Sequence, residues 1–570
     1  MFKSIQLLSI ILFCSLFAKG QNIIHSEILG RPTNNGISVK AIFDSTVQAR
    51  ISYGTATGVY PYQTFWQTFN PDTSGEAVAL ISLTGLTSNT KYYYKLQYMC
   101  PSCTTIVNRL EHTFHTARDT GTTFTFTIEA DPHLDVNSDT GLFRQCLSNQ
   151  LDDSADFMVD LGDFTLVEKY KNSSNQVTLD TFVYRCKLLR SCYESVCHSI
   201  PLFNVLGNHE GETGWYQNGS ANNIAVWGTN FRKKYFINPV PDNFYTGDTT
   251  HYNYVGQREA YFSWTWGDAL FIVLDPYWFT NPKPDSLHGW RWTLGQQQYN
   301  WLKNTLQNST SRFKFVFCHQ LVGGNKDGRG GTELAEYYEW GGLNSDSTNG
   351  WSANRPGWYK PIKELLEENR VTIFFHGHDH FFAKQKLGCL IYQECPQPSL
   401  PNFQTPQNAA NYGYVHGTII PNSGHLRVNV SPAGVSVDYI RAVLPSQVTP
   451  LLHNKDTSYT YSIGAVNCYD SLTNVKNPKI GNINLESDIF PNPFSLMTSI
   501  KYSISKANNV EVKVYDILGK EIATIINQYQ SPGNHIIDLN PENYNLKNGI
   551  YYCRIITGNY SVVKKMICLK

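Results

Sequence analysis

The feature that most constrains the fold of this chain is a series of short polar motifs, each placed directly after a short apolar run. In chain order the motifs are Asp131-Pro-His133, Gly162-Asp163, Gly207-Asn208-His209-Glu210, Cys318-His319 and Gly377-His378-Asp379-His380. Apolar runs of this length, bounded by turn residues, predict buried strands. In α/β sheets, ligands gather at the carboxyl ends of the strands. The pattern therefore predicts that these strand ends bring nitrogen and oxygen side chains into one crevice.

Helical patterns separate the apolar runs, which predicts a layered α/β domain over residues 122–445. The predicted strands are Phe124–Ala130, Phe157–Leu161, Pro201–Leu206, Phe313–Phe317 and Val371–Phe375, with a hairpin over Tyr261–Trp266 and Leu270–Asp275. The predicted helices are Gly141–Leu151, Thr178–Tyr193, Leu294–Leu306 and Pro361–Asn369.

The side chains of the motifs are the ligand types that transition metals prefer. The predicted metal ligands are Asp131, His133, Asp163, Asn208, His319, His378 and His380. Imidazole and carboxylate together favour Zn, Fe or Mn over Ca, and a carboxylate can bridge two cations and offset their repulsion. A single motif of this kind is weak, because a lone histidine is more often a core residue. All of them in this order predict a site for two transition-metal ions.

Residues 125–382, with these motifs, resemble the calcineurin-like metallophosphoesterase superfamily. The resemblance implies a β-sandwich flanked by helices, in which Asp131, His133 and His380 bind one metal. It also implies that Asn208, His319 and His378 bind the second metal and that Asp163 bridges both. His209 would then be the general acid that protonates the leaving group, and a metal-bridging hydroxide would be the nucleophile.

Residues 22–118 contain short runs of period two separated by turns, which predict a β-sandwich of about 100 residues. The segment 86–94, Leu-Thr-Ser-Asn-Thr-Lys-Tyr-Tyr-Tyr, resembles part of a fibronectin type III module. This module before the motif-bearing domain is similar to the layout of purple acid phosphatases. However, His133 and Leu166 stand where those enzymes have glycine and tyrosine. We therefore expect a colourless relative.

The N-terminus predicts export. Residues 1–20 combine a lysine, an apolar run too short to span a bilayer and small residues before Gln21, which is the pattern of a signal peptide. No later segment is predicted to span a membrane. The 46 basic and 46 acidic residues balance, so no general nucleic-acid-binding surface is expected.

The cysteines of an exported chain are expected to pair. Cys100 and Cys103 form a CxxC pattern, for which a local structural disulfide is favoured over a redox role. A redox motif remains the alternative. Six further cysteines could make three bridges, namely Cys146, Cys186, Cys192, Cys197, Cys389 and Cys395.

Residues 446–487 are poor in apolar periodicity and predict a linker. The last part, residues 488–570, returns to short strands and predicts a small all-β sandwich. Its motifs are Phe490-Pro-Asn-Pro-Phe494, Val514-Tyr-Asp-Ile-Leu-Gly-Lys520, Asn548-Gly-Ile-Tyr-Tyr552 and Val562-Val-Lys-Lys-Met566. They resemble the C-terminal sorting domain of the type IX secretion system. The resemblance implies a bacterium of the Bacteroidota group, the secretion machinery as a partner, and a final location outside the cell or on its surface.

The resemblances together imply a secreted, metal-dependent phosphoric ester hydrolase. Phosphate monoesters are the favoured substrates, because the domain layout is similar to that of acid phosphatases. A phosphodiesterase acting on nucleotides or phospholipid head groups is the alternative. A non-catalytic surface adhesin built on the sandwich modules is the alternative of another class.

Overall fold

The computed structural model describes residues 22–325, 327–401, 409–464, 468–469, 487–504, 507–517, 519–557 and 560–569. The predicted signal peptide, residues 1–20, lies outside the described residues. The chain divides into two compact units, Met1–Asn467 and Cys468–Lys570. Each unit is described by itself.

The first unit begins with two antiparallel sheets, as the period-two runs predict. Its strands are β1 (Ile23–Gly30), β2 (Gly36–Phe43), β3 (Val47–Gly54), β4 (Tyr62–Gln63), β5 (Gln67–Phe69), β6 (Ala77–Thr84), β7 (Lys91–Met99), β8 (Val107–Asn108) and β9 (His112–His115). One sheet has the order β1-β2-β6, and in the other β3 and β7 pair centrally with β4, β5, β8 and β9. Alternate side chains such as Val39, Ile51 and Leu96 are buried between the sheets.

The rest of the first unit is the predicted α/β domain. Its strands are β10 (Phe124–Glu129), β11 (Phe157–Asp160), β12 (Leu202–Asn204), β13 (Thr246–Gly247), β14 (Phe262–Trp266), β15 (Ala269–Val273), β16 (Phe313–Phe317), β17 (Ile373–His376), β18 (Phe382–Leu387), β19 (Leu390–Glu394), β20 (Thr418–Ile420), β21 (Gly424–Ser431), β22 (Gly434–Arg441) and β23 (Thr457–Gly464). Its α-helices are α1 (Thr140–Asp152), α2 (Leu179–Tyr193), α3 (Ile224–Tyr235), α4 (Gln296–Asn308), α5 (Tyr338–Gly341), α6 (Trp351–Asn354) and α7 (Ile362–Glu368). Short 3-10 helices occupy Val167–Lys169, Gly214–Tyr216, Gly289–Arg291, Thr332–Leu334, Ala410–Tyr412 and Pro445–Gln447.

Two sheets form the centre of this domain. One has the order β12-β11-β10-β21-β22-β23, and the other has the order β13-β14-β15-β16-β17-β19-β18-β20. Phenylalanines and tryptophans from both sheets, among them Phe126, Trp264 and Phe317, form the shared core. Strands β10, β11 and β12 run parallel, as do β15, β16 and β17. Parallel pairing places their carboxyl ends at one edge of each sheet, where the polar motifs follow.

The helices begin where the sequence offers a side chain to cap them. Asp139, Thr178 and Asn223 accept hydrogen bonds from the backbone N–H groups of Leu142, Thr181 and Val226 at the starts of α1, α2 and α3. All the predicted strands and helices of this domain are confirmed within a few residues. Helices α3, α5 and α6, strand β13 and the strands from β18 to β23 are not among the predicted elements.

The prediction of a linker over residues 446–487 is wrong in part. Residues 457–464 form β23, which pairs antiparallel with β22 and extends the six-stranded sheet. Tyr459, Tyr461 and Ile463 alternate with polar residues, and their half-buried side chains pack against the shared core. This period of two is that of a strand with one buried face.

The second unit is all-β, as predicted. Its strands are β24 (Ser487–Phe490), β25 (Thr498–Ile504), β26 (Asn508–Tyr515), β27 (Glu521–Gln530), β28 (Gly533–Leu539), β29 (Gly549–Thr557) and β30 (Tyr560–Cys568). They form one sheet of order β24-β25-β28 and another of order β27-β26-β29-β30. Alternate residues such as Ile500, Val512 and Ile555 fill the core.

The cysteines differ in part from the expectation. Cys100 and Cys103 form the predicted local disulfide. However, Cys146, Cys186, Cys192, Cys197 and Cys395 are buried as free thiols, so the three bridges proposed for this group do not form. Each packs singly into a core, and only Cys389 of that group is disulfide-bonded.

Within the residues that the structure describes, no helix is long and apolar enough to cross a bilayer.

Candidate metal centre

The predicted site residues lie together at the carboxyl ends of strands from both central sheets. Asp131 and His133 follow β10, Asp163 follows β11, and Asn208 and His209 follow β12 in the first sheet. From the second sheet, His319 follows β16, and His378 and His380 follow β17. The two sets face each other where the sheet edges meet.

A first group of ligand atoms belongs to Asp131, His133 and His380, and these atoms all lie within 4.8 Å of one another. Asp131 Oδ1 is 3.6 Å from His133 Nε2 and 3.4 Å from His380 Nε2. Two imidazole nitrogens around one carboxylate oxygen are a suitable set for a transition metal.

A second group consists of Asp163, His319 and His378, again with all ligand atoms within 4.8 Å. His319 Nε2 is 3.2 Å from both Asp163 Oδ2 and His378 Nδ1. The groups adjoin, because His133 Nε2 of the first is 3.6 Å from Asp163 Oδ2 of the second. Asp163 therefore faces both groups.

Several buried polar atoms here are left without a hydrogen-bond partner in the described part of the chain. They include Asp131 Oδ1, His133 Nε2 and Asn208 Oδ1. Buried polar groups are almost always partnered, so these unpartnered atoms need an explanation. A bound cation would satisfy them, and the donor set fits transition-metal ions.

The rings of His319 and His378 each donate a hydrogen bond to a backbone carbonyl, and this bond fixes which ring nitrogen faces the centre. His319 Nδ1 lies 2.8 Å from the carbonyl oxygen of Leu161, and His378 Nε2 lies 2.9 Å from that of Asp327. In each case the ring donates an N–H to a carbonyl, so the other nitrogen faces the ligand group and is the one that a metal ion would bind in place of a proton. This arrangement orients metal-binding imidazoles in proteins.

The charges of the centre favour bound cations. Burial opposes charge on His133 and His319, but the carboxylates of Asp131 and Asp163 outweigh it. They raise the pKa of His133 to about 9 and that of His319 to about 10. The pKa of Asp131 is lowered despite burial, through the charges of His380 and His319. The carboxyl groups are thus anions that attract positive charge.

The backbone at the centre is strained. Asp131, His133, Asp163, His378 and His380 have φ between 48° and 79°, in the left-handed region that side chains other than glycine rarely adopt. Such conformations cluster at functional sites and persist only when surrounding contacts hold them.

Glu210, whose role the sequence did not reveal, is one of the residues that hold this backbone. Its carboxylate accepts hydrogen bonds from the N–H groups of Asp163 at 3.0 Å and Phe164 at 2.8 Å, and also from that of Gly207. It thus ties the turn after β11 to the turn after β12. The one feature of the sequence that pointed to Glu210 was its position next to His209 in the motif.

Arg185 on α2 holds the turn after β10. Its guanidinium donates to the carbonyl oxygens of Thr165 at 2.7 Å and Leu134 at 2.8 Å, and also to that of His133. The side chain is almost fully buried. No sequence pattern marked this residue, because its partners are far away along the chain.

Asp379 supports the turn after β17 and does not face solvent. Its carboxylate accepts from Arg329 Nη1 at 2.8 Å, from the Gly330 N–H at 2.9 Å and from the Tyr414 hydroxyl at 2.8 Å. Arg329 also donates to the carbonyl oxygen of His378 at 2.9 Å. Asp379 is therefore a support for the neighbouring ligands and not a ligand itself.

His209 lies at the rim of the centre and is partly exposed. Its Nε2 is 4.0 Å from Asp163 Oδ2, and its backbone N–H donates to Asp163 Oδ1 at 2.8 Å. Its Nδ1 lies 3.4 Å from Glu168 Oε2. The imidazole thus stands between a carboxylate on its outer side and the centre on its inner side.

Close packing at two glycines gives the first prediction. A Cβ at Gly377 would lie 2.6 Å from Asp131 Oδ2, and a Cβ at Gly207 would lie 2.3 Å from Asp163 Oδ1. We expect Gly377→Ala to displace Asp131 and to weaken metal binding by about 10- to 100-fold, as measured by competition with a chelator. Gly549→Ala is the control, since its nearest neighbour is 3.9 Å away. Equal metal affinity in the two variants would contradict this packing account.

Two family models match the chain. Residues 124–382 match the calcineurin-like phosphoesterase family, and residues 488–569 match the secretion system C-terminal sorting domain. A search with the sequence against curated proteins gives no match.

Among solved structures, the chain is similar to PhoD. The TM-score is 0.57 at 14% identity, and the match covers 78% of this chain and 90% of the PhoD chain. At this identity the likeness shows the fold alone.

Two further likenesses are weaker. GAP50, the anchor in the inner membrane complex of Plasmodium, matches at 14% identity and a TM-score of 0.33, covering 63% of this chain and 97% of its own. A putative 5'-nucleotidase from Staphylococcus aureus matches at 12% identity and 0.28, covering 60% of this chain and 54% of its own. With TM-scores below 0.5, neither bears on the fold.

The matches agree with the resemblances found in the sequence. The sorting domain directs bacterial export by type IX secretion. The phosphoesterase match covers every strand end that carries a predicted ligand. Residues 124–382 thus match the calcineurin-like phosphoesterase family, and residues 488–569 are a type IX secretion sorting domain.

Proposed function

We propose that the protein is a secreted two-metal phosphoesterase that hydrolyses phosphate monoesters. The observation that carries the proposal is the pair of adjoining ligand groups, Asp131, His133 and His380 beside Asp163, His319 and His378. Asn208, with its unpartnered buried Oδ1, completes the second group. Asp163, which faces both groups, is the bridging ligand.

Two ions bound at these groups would activate water and neutralise charge on the phosphoryl oxygens. The residues of the chain supply the rest. Asp131 would bind one ion and Asp163 would contact both, and the strained turns fix the donor atoms before substrate arrives, which lowers the cost of reorganisation.

His209 is the general acid of this proposal. It is partly exposed, and its Nε2 is on the side of the centre. From there it can give a proton to the departing alkoxide. Such a proton transfer is needed most when the leaving group is a poor one.

Glu168 is a positioning residue for His209, and this gives a second prediction. Its carboxylate Oε2 lies 3.4 Å from Nδ1, and this contact on the outer side of the ring helps to hold Nε2 toward the centre. We expect Glu168→Gln to lower kcat about tenfold on an alkyl phosphate and to leave KM and the rate on 4-nitrophenyl phosphate unchanged. An equal loss on both substrates would indicate a merely structural role.

Leu166 occupies the place of the tyrosine of purple acid phosphatases, and its side chain is buried. Leucine offers no oxygen to a metal ion, so the proposed enzyme lacks the tyrosine ligand of the purple enzymes and is expected to be colourless.

The preference for monoesters is tested with the purified chain on 4-nitrophenyl phosphate and bis(4-nitrophenyl) phosphate. The two substrates share a leaving group, so their kcat/KM ratio reports only the second ester group. A ratio above one supports monoesterase action. A ratio well below one would indicate that the protein is a phosphodiesterase and not a phosphomonoesterase. If the metal-loaded protein hydrolysed neither substrate, the enzyme proposal would be refuted and the adhesin alternative favoured.

A further inference from the structure

A cleft of about 710 Å³ lies beside α4 at one edge of the eight-stranded sheet. Strand β13 is the outermost strand of this edge, and β14 is its neighbour. Its volume is within the usual range for small-molecule sites. None of the predicted metal ligands, nor His209, lines it. The cleft and the metal centre therefore have no lining residue in common.

One wall of the cleft is a face of α4. Gln297, Trp301, Asn304 and Asn308 recur at intervals of four, three and four residues, which places them on one side of a helix. The opposite side of α4 carries Tyr299, Leu302 and Leu306, which are buried in the core. The amide side chains of Gln297, Asn304 and Asn308 and the indole of Trp301 therefore line this wall of the cleft.

The indole of Trp301 is held in place. Its Nε1 donates to Thr246 Oγ1 at 3.1 Å, and its ring centroid lies 5.0 Å from that of Tyr261. Thr246 Oγ1 is in turn 2.7 Å from Ser263 Oγ on the neighbouring strand. The ring is half-buried, so part of it remains accessible, and its fixed orientation lowers the entropy cost of binding.

The lining of the cleft is uncharged. Charged residues make up 16% of the chain, yet no Asp, Glu, Lys, Arg or His is among the lining residues. Phosphate groups and nucleic acids are bound chiefly through Arg and Lys. The cleft is therefore unsuited to the phosphate of a substrate and suited to an uncharged ligand.

Hydrogen-bonding groups in the cleft remain available. The side chains of Asn304, Thr305 and Asn308 make no hydrogen bond to other residues in the part of the chain that the structure describes. Each amide side chain offers two N–H donors and an acceptor oxygen, and each hydroxyl offers both functions. A ligand that carries many hydroxyl groups on an apolar carbon skeleton matches such a surface.

We propose that this cleft binds a neutral oligosaccharide. The C–H face of a sugar ring stacks on Trp301, and its hydroxyl groups exchange hydrogen bonds with Asn304 and Asn308. The site acts independently of the metal centre, so it holds the exported protein to a neutral glycan whether or not that glycan carries a phosphoester.

The test is affinity gel electrophoresis of the full chain in gels containing mannan, dextran, xylan or galactan, with alginate as an anionic comparison. We expect retardation by at least one neutral polysaccharide and a loss of affinity of about tenfold or more in Trp301→Ala. Trp66→Ala is the matched control, because Trp66 lies in the N-terminal sandwich under Arg50. It should bind as the unaltered chain does.

A second variant distinguishes loss of the binding site from misfolding of Trp301→Ala. The double change Asn304→Asp and Asn308→Asp keeps side-chain size at exposed positions but adds two negative charges, and it should abolish retardation while hydrolysis of 4-nitrophenyl phosphate stays unchanged. Absence of retardation by all four neutral polysaccharides, stronger retardation by alginate, or full binding by Trp301→Ala would each overturn the proposal.

Discussion

Replacement of Asp163 with Asn is expected to lower kcat/KM by about 10³-fold or more, on the order of 4 kcal/mol of transition-state stabilisation. Asn has the same shape and can still accept the hydrogen bond that the His209 N–H donates to Oδ1. The change therefore removes the charge shared by the two ligand groups and little else. We also expect a lower metal content, measured by inductively coupled plasma mass spectrometry.

The matched control is Asp135→Asn. Asp135 follows the same strand as Asp131, but its carboxylate contacts Lys169 at 3.1 Å and accepts hydrogen bonds from the Asn137 N–H and the Ser138 hydroxyl of its own loop. It belongs to neither ligand group, so kcat/KM should stay within about twofold of that of the unaltered chain. Equal activity in Asp163→Asn and Asp135→Asn, with both variants folded by circular dichroism, would remove Asp163 from the centre.

Replacement of His209 with Ala should have an effect that depends on the leaving group. For an alkyl phosphate, whose alkoxide needs a proton as it departs, we expect kcat to fall by about 10²- to 10⁴-fold. For 4-nitrophenyl phosphate, whose leaving anion is stable without a proton, the loss should be far smaller. Steady-state kinetics on the two substrates with one metal-loaded preparation measures the difference.

His416→Ala serves as the control for this variant, because the His416 side chain is highly exposed, its Nδ1 lies 3.2 Å from Glu333 Oε1, and it belongs to neither ligand group. A loss of the same size on both substrates in His209→Ala would show that His209 acts on metal binding or phosphate binding and not as the acid.

The order and position of the ligands were predictable from the sequence, because a strand end is a local feature. An apolar run followed by Asp131-Pro-His133 fixes both the strand and the place where its polar residues emerge. The meeting of β10, β11 and β12 with β16 and β17 followed from the general geometry of parallel strands.

The supports of the site were not predictable, because they depend on contacts between residues far apart in the chain. Arg185 reaches three carbonyl groups from α2, and Asp379 is turned inward by Arg329 and Tyr414. Similarly, the isolated packing of Cys186 and Cys192 on α2 depends on which faces of the helix meet the core. None of these contacts leaves a periodic pattern.

The strand β23 was missed for a related reason. Tyr459 and Tyr461 are amphipathic and stand among many serines and threonines, so the segment has low apolar content. Its place in the fold comes from pairing with β22, which supplies the hydrogen bonds that the segment cannot make alone.

We propose that phosphoester hydrolysis needs two metal ions held by Asp131, His133, Asp163, Asn208, His319, His378 and His380. The most direct test is metal analysis of the purified chain combined with hydrolysis of 4-nitrophenyl phosphate before chelation, after chelation and after metal is restored. We predict about two transition-metal ions per chain, loss of hydrolysis on chelation and its recovery on reloading. Hydrolysis that persists in the metal-free chain, or a chain that binds no transition metal, would contradict the account.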